Sequence, residues 1–400
     1  MGFHGGGGSD YWVVKLNDTG VIQWSKCYGG TNDDAAKSII QCSDSGYIVV
    51  GYSKSNDGDV SGGHGLLDYW VVKLNDTGAI QWSKCYGGSL IDFALSVLQT
   101  PDAGYIIAGE AVSNDGDVTG NHGSSGNYWI VKIDTTGTIQ WEKCYGGSIG
   151  EEAESILQTS DGGYIVAGTT ISNDGDVTGN HGAADYWVVK LSDTGAIQWE
   201  KCYGGSQGEA ATSMVRTNDG NYAIAGYSSS NDGNLTGNYG YEDYWIIKID
   251  TNGNLLWQKN MGGSSTDQAF SLIQTSYNDY VICGESVSNN GNVTGNHGNY
   301  DCWIVKLGGN VGIDEIVNGE NGVVVYPNPA SSTLTIRNLS PALAGGNGEL
   351  VITDVLGNTV YQQVINQQSS VINISELSDS MYFYRITSAK ETLQGKFVKQ

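Results

Sequence analysis

The sequence predicts an all-β chain of repeated four-stranded modules followed by a smaller all-β domain. Three observations carry that prediction. The phrase DYWVVKL begins at Asp10 and returns, with minor changes, at Asp68, Asn127, Asp185, Asp243 and Asp301, in steps of 58 or 59 residues. All 11 tryptophans fall on two positions of that repeat: Trp12, Trp70, Trp129, Trp187, Trp245 and Trp303, then Trp24, Trp82, Trp141, Trp199 and Trp257. The 59 glycines and 16% charged residues exclude a coiled coil or helical bundle, while 39% apolar content excludes intrinsic disorder.

Each unit reads as four short strands. Tyr11 to Leu16 ends at the turn Asn17-Asp18-Thr19-Gly20, and Val21 to Tyr28 returns and stops at Gly29-Gly30. Ser38 to Cys42 and Tyr47 to Tyr52 form a second hairpin, rich in β-branched residues. A long Asn/Asp/Gly loop, Ser53 to Leu67, leads to the next unit. Glu151 to Leu157 also fits the spacing of a short amphipathic helix, but its brevity and the turn Asp161-Gly162-Gly163 favour a strand.

Strands apolar on both faces need a neighbouring sheet on each side, and radial packing supplies one to every copy. In the order A, B, C, D from axis to rim, the chain opens with a C–D hairpin, runs through four whole blades and ends on A, B and C. The expectation is a β-propeller of five to six four-stranded blades over residues 1–309. The chain ends duplicate strand C, Met1 opens inside a loop, and neither a basic n-region nor an apolar h-region of a signal peptide is present. These features predict an N-terminally truncated copy of a longer product; the alternative is a five-blade ring with a spare strand.

The repeat breaks at Gly308-Gly309-Asn310, and three of the four prolines lie beyond it. Residues 310–320 read as a linker. Residues 321–400 carry seven short alternating segments, beginning at Val323 and ending at Lys399, which predict a small β-sandwich.

Two resemblances follow from these motifs. The unit DYWVVKLNDTGAIQWSKCYGG, with AESILQTSDGGYIVAG, resembles the bacterial beta-propeller repeat known as the SBBP repeat, which implies a propeller and no single activity. The C-terminal region resembles the type A sorting domain of the type IX secretion system. Its matching elements are YPNPASSTLTI, DVLGNTV, NISELSDSMYFYRI and the final KFVK. On that resemblance the sorting signal comprises Pro327, Asn328, Pro329, Asp354, Gly357, Leu377, Tyr382, Lys396, Phe397, Val398 and Lys399. Ser380 departs from the family, which usually has Gly there, and is expected to disturb one turn mildly. The family passes folded cargo across the outer membrane of certain Gram-negative bacteria, for anchoring or release, so the type IX machinery is the implied partner.

The candidate chemistry is sparse. An acid precedes strand A in every full copy, at Asp34, Asp92, Glu151, Glu209 and Asp267. These either accept backbone N–H bonds or form a collar around a central channel that holds a cation or a polyhydroxylated ligand. The loops carry alternating acids, Asp57, Asp59, Asp115, Asp117, Asp174 and Asp176, the pattern of a calcium site, though it fades to Asn289-Asn290-Gly291-Asn292 in the last copy. Asx turns explain that composition without a metal, so no cofactor is expected. The five histidines occupy one loop position each and are too dispersed for zinc. The seven cysteines read as small buried filler.

A formal charge of −24 argues against nucleic acid and anionic membranes, and no apolar run is long enough for a transmembrane helix. No GxSxG, HExxH or P-loop is present. The chain is therefore expected to be a non-enzymatic, exported binding or adhesion module for glycan or protein, acting through its loop faces. The alternatives are a polysaccharide-degrading propeller whose active site is lost or cryptic, and a structural surface component.

Overall fold

The computed structural model describes residues 8–308, 323–326, 330, 332–338, 348–355, 357–365, 369–387 and 392–399. Among them every regular element is a strand. The chain divides into two units, Met1–Leu307 and Gly308–Gln400.

Within each sheet of the first unit, strands consecutive in sequence pair antiparallel. β1 (Tyr11–Leu16) and β2 (Ile22–Tyr28) form a hairpin. Its turn is fixed by Asn17, whose Oδ1 accepts the N–H groups of Thr19 at 3.1 Å and Val21 at 2.8 Å, while Gly20 supplies a φ of 80°. Four complete sheets follow. Sheet I is β3–β6 (Asp34–Gln41, Tyr47–Ser53, Asp68–Leu74, Ile80–Tyr86), and sheet II is β7–β10 (Asp92–Gln99, Tyr105–Ala111, Asn127–Ile133, Ile139–Tyr145). Sheet III is β11–β14 (Glu151–Gln158, Tyr164–Thr170, Asp185–Leu191, Ile197–Tyr203), and sheet IV is β15–β18 (Glu209–Arg216, Tyr222–Ser228, Asp243–Ile249, Leu255–Met261). A closing sheet, β19–β21 (Asp267–Gln274, Tyr280–Ser286, Asp301–Leu307), has three strands. The arrangement is propeller-like, with the first strands of successive sheets in contact. Among the described residues four sheets have four strands each, beside the two-stranded hairpin and the three-stranded sheet β19–β21.

One boundary differs from the sequence expectation. Strand A starts at the repeated acid itself, not several residues after it. A β-bulge explains the difference. The register skips Lys37, Leu95, Glu154, Thr212 and Phe270, so period-two alternation is legible only beyond them.

The repeated aromatics join sheet to sheet. Tyr11 lies 4.4 Å from the ring of Trp70 and donates its hydroxyl to the Trp70 carbonyl at 3.0 Å. The same contact joins Tyr69 to Trp129, Tyr128 to Trp187, Tyr186 to Trp245 and Tyr244 to Trp303. Gly51 is required beneath it, since a Cβ there would stand 2.7 Å from the Tyr11 hydroxyl. The second tryptophan set reaches the next sheet's C–D turn: Trp24 donates to the Asp76 carbonyl at 3.1 Å and Trp82 to Thr135 at 3.2 Å. Strand C is consequently buried along its whole length in sheets I, II and III. At the ends this burial fails. Trp12, which meets no preceding sheet among the described residues, is 68% exposed, whereas Trp70, Trp129, Trp187 and Trp245 are fully buried. In β21 Cys302 replaces the joining tyrosine and is exposed, so it is not buried filler.

The second unit has two antiparallel sheets. One is β22 (Val323–Tyr326), β23 (Thr333–Asn338) and β26 (Ser369–Asn373). The other is β25 (Thr359–Ile365), β24 (Gly348–Thr353), β27 (Ser380–Thr387) and β28 (Thr392–Lys399), in that order. Leu334 and Ile372 from the first sheet share one core with Leu350, Ile386 and Phe397 from the second. Ser380 opens β27, pairs with Lys399 and has no positive φ, so the absent glycine disturbs no turn.

Candidate functional site

The five repeated acids begin strand A, and none is more than 2% exposed. Asp92 accepts the Gly88 N–H at 2.8 Å and the Ser113 hydroxyl at 2.7 Å. Asp34 does the same with Gly30 at 2.7 Å and Ser55 at 3.0 Å, and Asp267 with Gly263 at 2.7 Å and Ser288 at 2.9 Å. Glu151 takes Gly147 N–H at 2.9 Å and the Thr170 hydroxyl at 2.8 Å, and Glu209 takes Gly205 at 2.8 Å and Ser228 at 2.7 Å. Each carboxylate ties the turn entering a sheet to the end of strand B. Burial and these bonds leave them no free face for a channel ligand.

The residues beside them differ from sheet to sheet. The second position of strand A holds Ala35, Phe93, Glu152, Ala210 and Gln268, and the bulged position holds Lys37, Leu95, Glu154, Thr212 and Phe270. A bulge re-aims its side chain, and here side chains from three sheets converge. Lys37 and Tyr52 from sheet I, Phe93 and Leu95 from sheet II, and Glu152 and Glu154 from sheet III line one cavity of about 470 Å³. The Lys37 ammonium stands 5.8 Å from the Tyr52 ring centre, and the Tyr52 ring meets Phe93 edge-on at 6.4 Å.

The carboxyls around this cavity are shifted in one direction. Burial, reinforced by Glu152, Asp92 and Glu151, pushes Glu110 up to about 7. Burial and Glu152 push Glu154 up to about 7 against the pull of Lys37. Glu152 is raised by burial, with Lys37 opposing. Acids of this kind donate as well as accept hydrogen bonds near neutrality. Sequence reading missed this group, yet the signal was present: two positions varying in charge and size inside an otherwise fixed strand.

The loop acids have structural partners. Asp57, Asp115 and Asp174 accept the N–H groups of Thr31, Ser89 and Ser148 at 2.8, 2.7 and 2.8 Å. Asp59, Asp117 and Asp176 reach Gly29, Gly87 and Gly146 N–H at 3.4, 3.4 and 3.3 Å. Asn234 and Asn292 make the same contact to Gly204 and Gly262 at 3.1 and 3.2 Å, so the contact needs an acceptor and not a charge. Among the described residues no group of three or more His, Cys, Asp or Glu side chains is arranged to hold a metal. His64 and His181 pair with Asp68 and Asp185 four residues on. All seven thiols are free.

In the second unit, Asp354 and Gly357 form a turn, with Gly357 N–H on the Asp354 carbonyl at 3.0 Å and Asn358 N–H on Asp354 Oδ1 at 2.9 Å. Tyr382 stacks on Phe397 at 5.5 Å and donates to the Ser378 carbonyl at 2.9 Å, and Leu377 packs against the same core. Lys399 pairs with Asp379 at 3.1 Å, Val398 accepts the Ala330 N–H at 2.8 Å, and Lys396 is exposed. Pro327, Asn328, Pro329 and the linker 310–320 lie outside the described residues.

Comparison with known proteins bears on the two units unequally. No curated protein matches the chain. The solved structures similar to it include two of an extracellular domain from B. thetaiotaomicron. One is of the hybrid two component system BT4673, at 11% identity and a TM-score of 0.24, covering 93% of this chain and 57% of that one. The other is of the one component system BT4673, at 11% identity and a TM-score of 0.23, covering 97% of this chain and 66% of that one. Residues 324–400 match the family described as the secretion system C-terminal sorting domain. The second unit is thus a type IX secretion sorting domain, and the chain is a protein directed to the cell surface or beyond it.

Proposed function

We infer that this is a non-enzymatic glycan-binding protein of a Gram-negative cell surface or its surroundings, with an SBBP-type repeat region that holds its ligand in the axial cavity. The type IX machinery engages the C-terminal unit, and the repeat region is the cargo. The observation that carries the binding role is that Lys37, Phe93, Leu95, Glu152 and Glu154, all from the two strand A positions that change most in chemistry between copies, line one cavity. At about 470 Å³ it has the size of an oligosaccharide subsite. Tyr52 and Phe93 offer flat apolar faces for a sugar ring, while Glu152, Glu154 and Lys37 offer hydrogen bonds to its hydroxyls.

The test is a glycan array followed by titration of the best ligand into the native protein, Phe93→Ala and the double variant Glu152→Gln/Glu154→Gln. Binding lost in the cavity variants supports the assignment. Binding untouched by them returns recognition to the loop faces. A second reading, a polysaccharide hydrolase or lyase, is favoured by Glu110 and Glu154, since a carboxyl at about 7 suits a general acid. Product release from a polysaccharide panel, abolished in Glu154→Gln, would put that reading first.

A further inference from the structure

Where one sheet meets the next, the first residue of strand C approaches the repeated acid of the following sheet. Oδ1 of Asp68 and Oδ2 of Asp92 both crowd the point where a Cβ on Gly87 would stand. Asp185 and Glu209 converge in the same way at Gly204, and Asp243 and Asp267 at Gly262. All six residues are buried. Oδ1 of Asp68, Asp185 and Asp243 has no hydrogen-bond partner.

The junction between sheets II and III carries an amide instead. Asn127 accepts the His122 N–H through Oδ1 at 2.7 Å, and its Nδ2 donates to Glu151 at 2.9 Å. At the other junctions the aspartate oxygen facing the loop does the accepting, from His64 at 2.6 Å and His181 at 3.0 Å. The unpartnered Oδ1 therefore stands where Asn127 places its NH₂ group. A hydrogen on that oxygen would make the bond that Asn127 makes.

We propose that each of the three junctions Asp68–Asp92, Asp185–Glu209 and Asp243–Asp267 holds one proton shared between its two carboxyls. The carboxyl pair is the protonic equivalent of the Asn127–Glu151 amide bond. A metal ion in the same place is disfavoured, because the homologous junction turns an N–H donor toward that point.

The surroundings suit a neutral pair. Asp68 faces His64 and Cys85, and Asp92 faces Tyr69, Glu110 and Cys144. Asp185 faces His181 and Cys202, and Glu209 faces Tyr186. Asp243 has Tyr239 where the others have histidine, and Asp267 faces Tyr244. Burial raises Asp68 and Asp185, and burial with Asp267 pushes Asp243 up to about 7. For acids raised on folding, the stability they hold is complete below the ordinary carboxyl pKa and is lost as pH rises through the folded value. A junction that loses its shared proton becomes two buried anions side by side.

The test compares thermal unfolding of the full chain with the triple variant Asp68→Asn/Asp185→Asn/Asp243→Asn between about pH 5 and about pH 9. The axial glutamates titrate in both proteins, so the gap between the curves reads the pairs alone. The gap is expected to widen as pH rises from mild acid through the folded pKa values, reaching roughly 5 °C or more in favour of the variant. The reverse change, Asn127→Asp, is expected to steepen the alkaline loss. Parallel curves overturn the proposal, as does an alkaline loss abolished by calcium, which would mean a cation and not a proton. Should the triple variant not fold, the infrared carbonyl band of a protonated carboxylic acid at neutral pH in the background Glu110→Gln/Glu152→Gln/Glu154→Gln decides, and its absence overturns the proposal.

Discussion

Along strand A two kinds of position sit side by side and behave in opposite ways. The first, third and fifth are an acid, an alanine and a serine in all five copies, as in Asp92, Ala94 and Ser96. The second and fourth change from apolar to acidic to basic, as in Phe93, Glu152 and Lys37. The fixed residues close the junctions between sheets, a task common to every copy. Of the variable ones, Lys37, Phe93, Leu95, Glu152 and Glu154 face one space shared by three copies, each with a different side chain. In a repeat protein, sameness thus marks the packing role and divergence marks the place where the copies cooperate.

The largest expected effect tests whether a fixed position matters only through its neighbour. Trp187 and Trp12 occupy the same repeat position, but Trp187 is fully buried under Tyr128 and Trp12 is exposed. Trp187→Ala is expected to cost about 3–5 kcal/mol in denaturant unfolding, and Trp12→Ala less than about 1 kcal/mol. Equal losses would mean that the tryptophan acts within its own sheet and not across the junction.

Next in size is the contrast between neighbours in sequence. Asp92→Ala strips acceptors from the Gly88 N–H and the Ser113 hydroxyl, both buried, and is expected to cost about 3 kcal/mol without abolishing ligand binding in the folded fraction. Phe93→Ala is expected to do the reverse, with a smaller stability loss and a loss of binding. If both variants lose binding in proportion to stability, the two classes of position are one.

This contrast also shows how much the sequence made legible. The strand order within each sheet follows from the recurring Trp and DYWVVKL positions, because one packing contact is written five times. The bulge at Lys37 and its equivalents is not legible, since a skipped residue erases the alternation that identifies a strand, and so the pattern shows strand A only from Ser38 onward. The candidate site was hidden for a related reason. An acid fixed in five copies has the look of a functional residue, although repetition there reflects shared hydrogen bonds to the turn glycines. The Asp68–Asp92 pairing escaped entirely, because its partners are 24 residues apart on strands of different sheets.

A smaller effect separates the variable acids by pH. Glu110 and Glu154 rise from 4.5 to about 7, so the stability they hold is lost as pH climbs through about 7. Glu154→Gln removes one of these charges and eases Glu110. The variant is expected to match the native Tm in mild acid and exceed it by a few degrees in alkali, with solvent screening keeping the gain near about 1 kcal/mol. A uniform gain across the pH range would point to helix-free backbone or packing effects and not to ionisation.

The smallest effect concerns the loops, where fixed and variable behaviour meet at one residue. Asp59 and its copies Asp117 and Asp176 become Asn234 and Asn292 further along the chain, while the hydrogen bond to the turn glycine persists in every copy. An acceptor is what the contact requires, and Asp and Asn supply it equally. Asp59→Asn is therefore expected to change stability by less than about 0.5 kcal/mol. Calcium is expected to leave the Tm of both proteins unchanged, since an ion would need several hard oxygens converging, and these acids are each turned to a backbone N–H. A calcium-dependent rise in the native Tm that vanishes in Asp57→Asn/Asp59→Asn would reverse this, because only a bound ion distinguishes the carboxylate from the amide at that position.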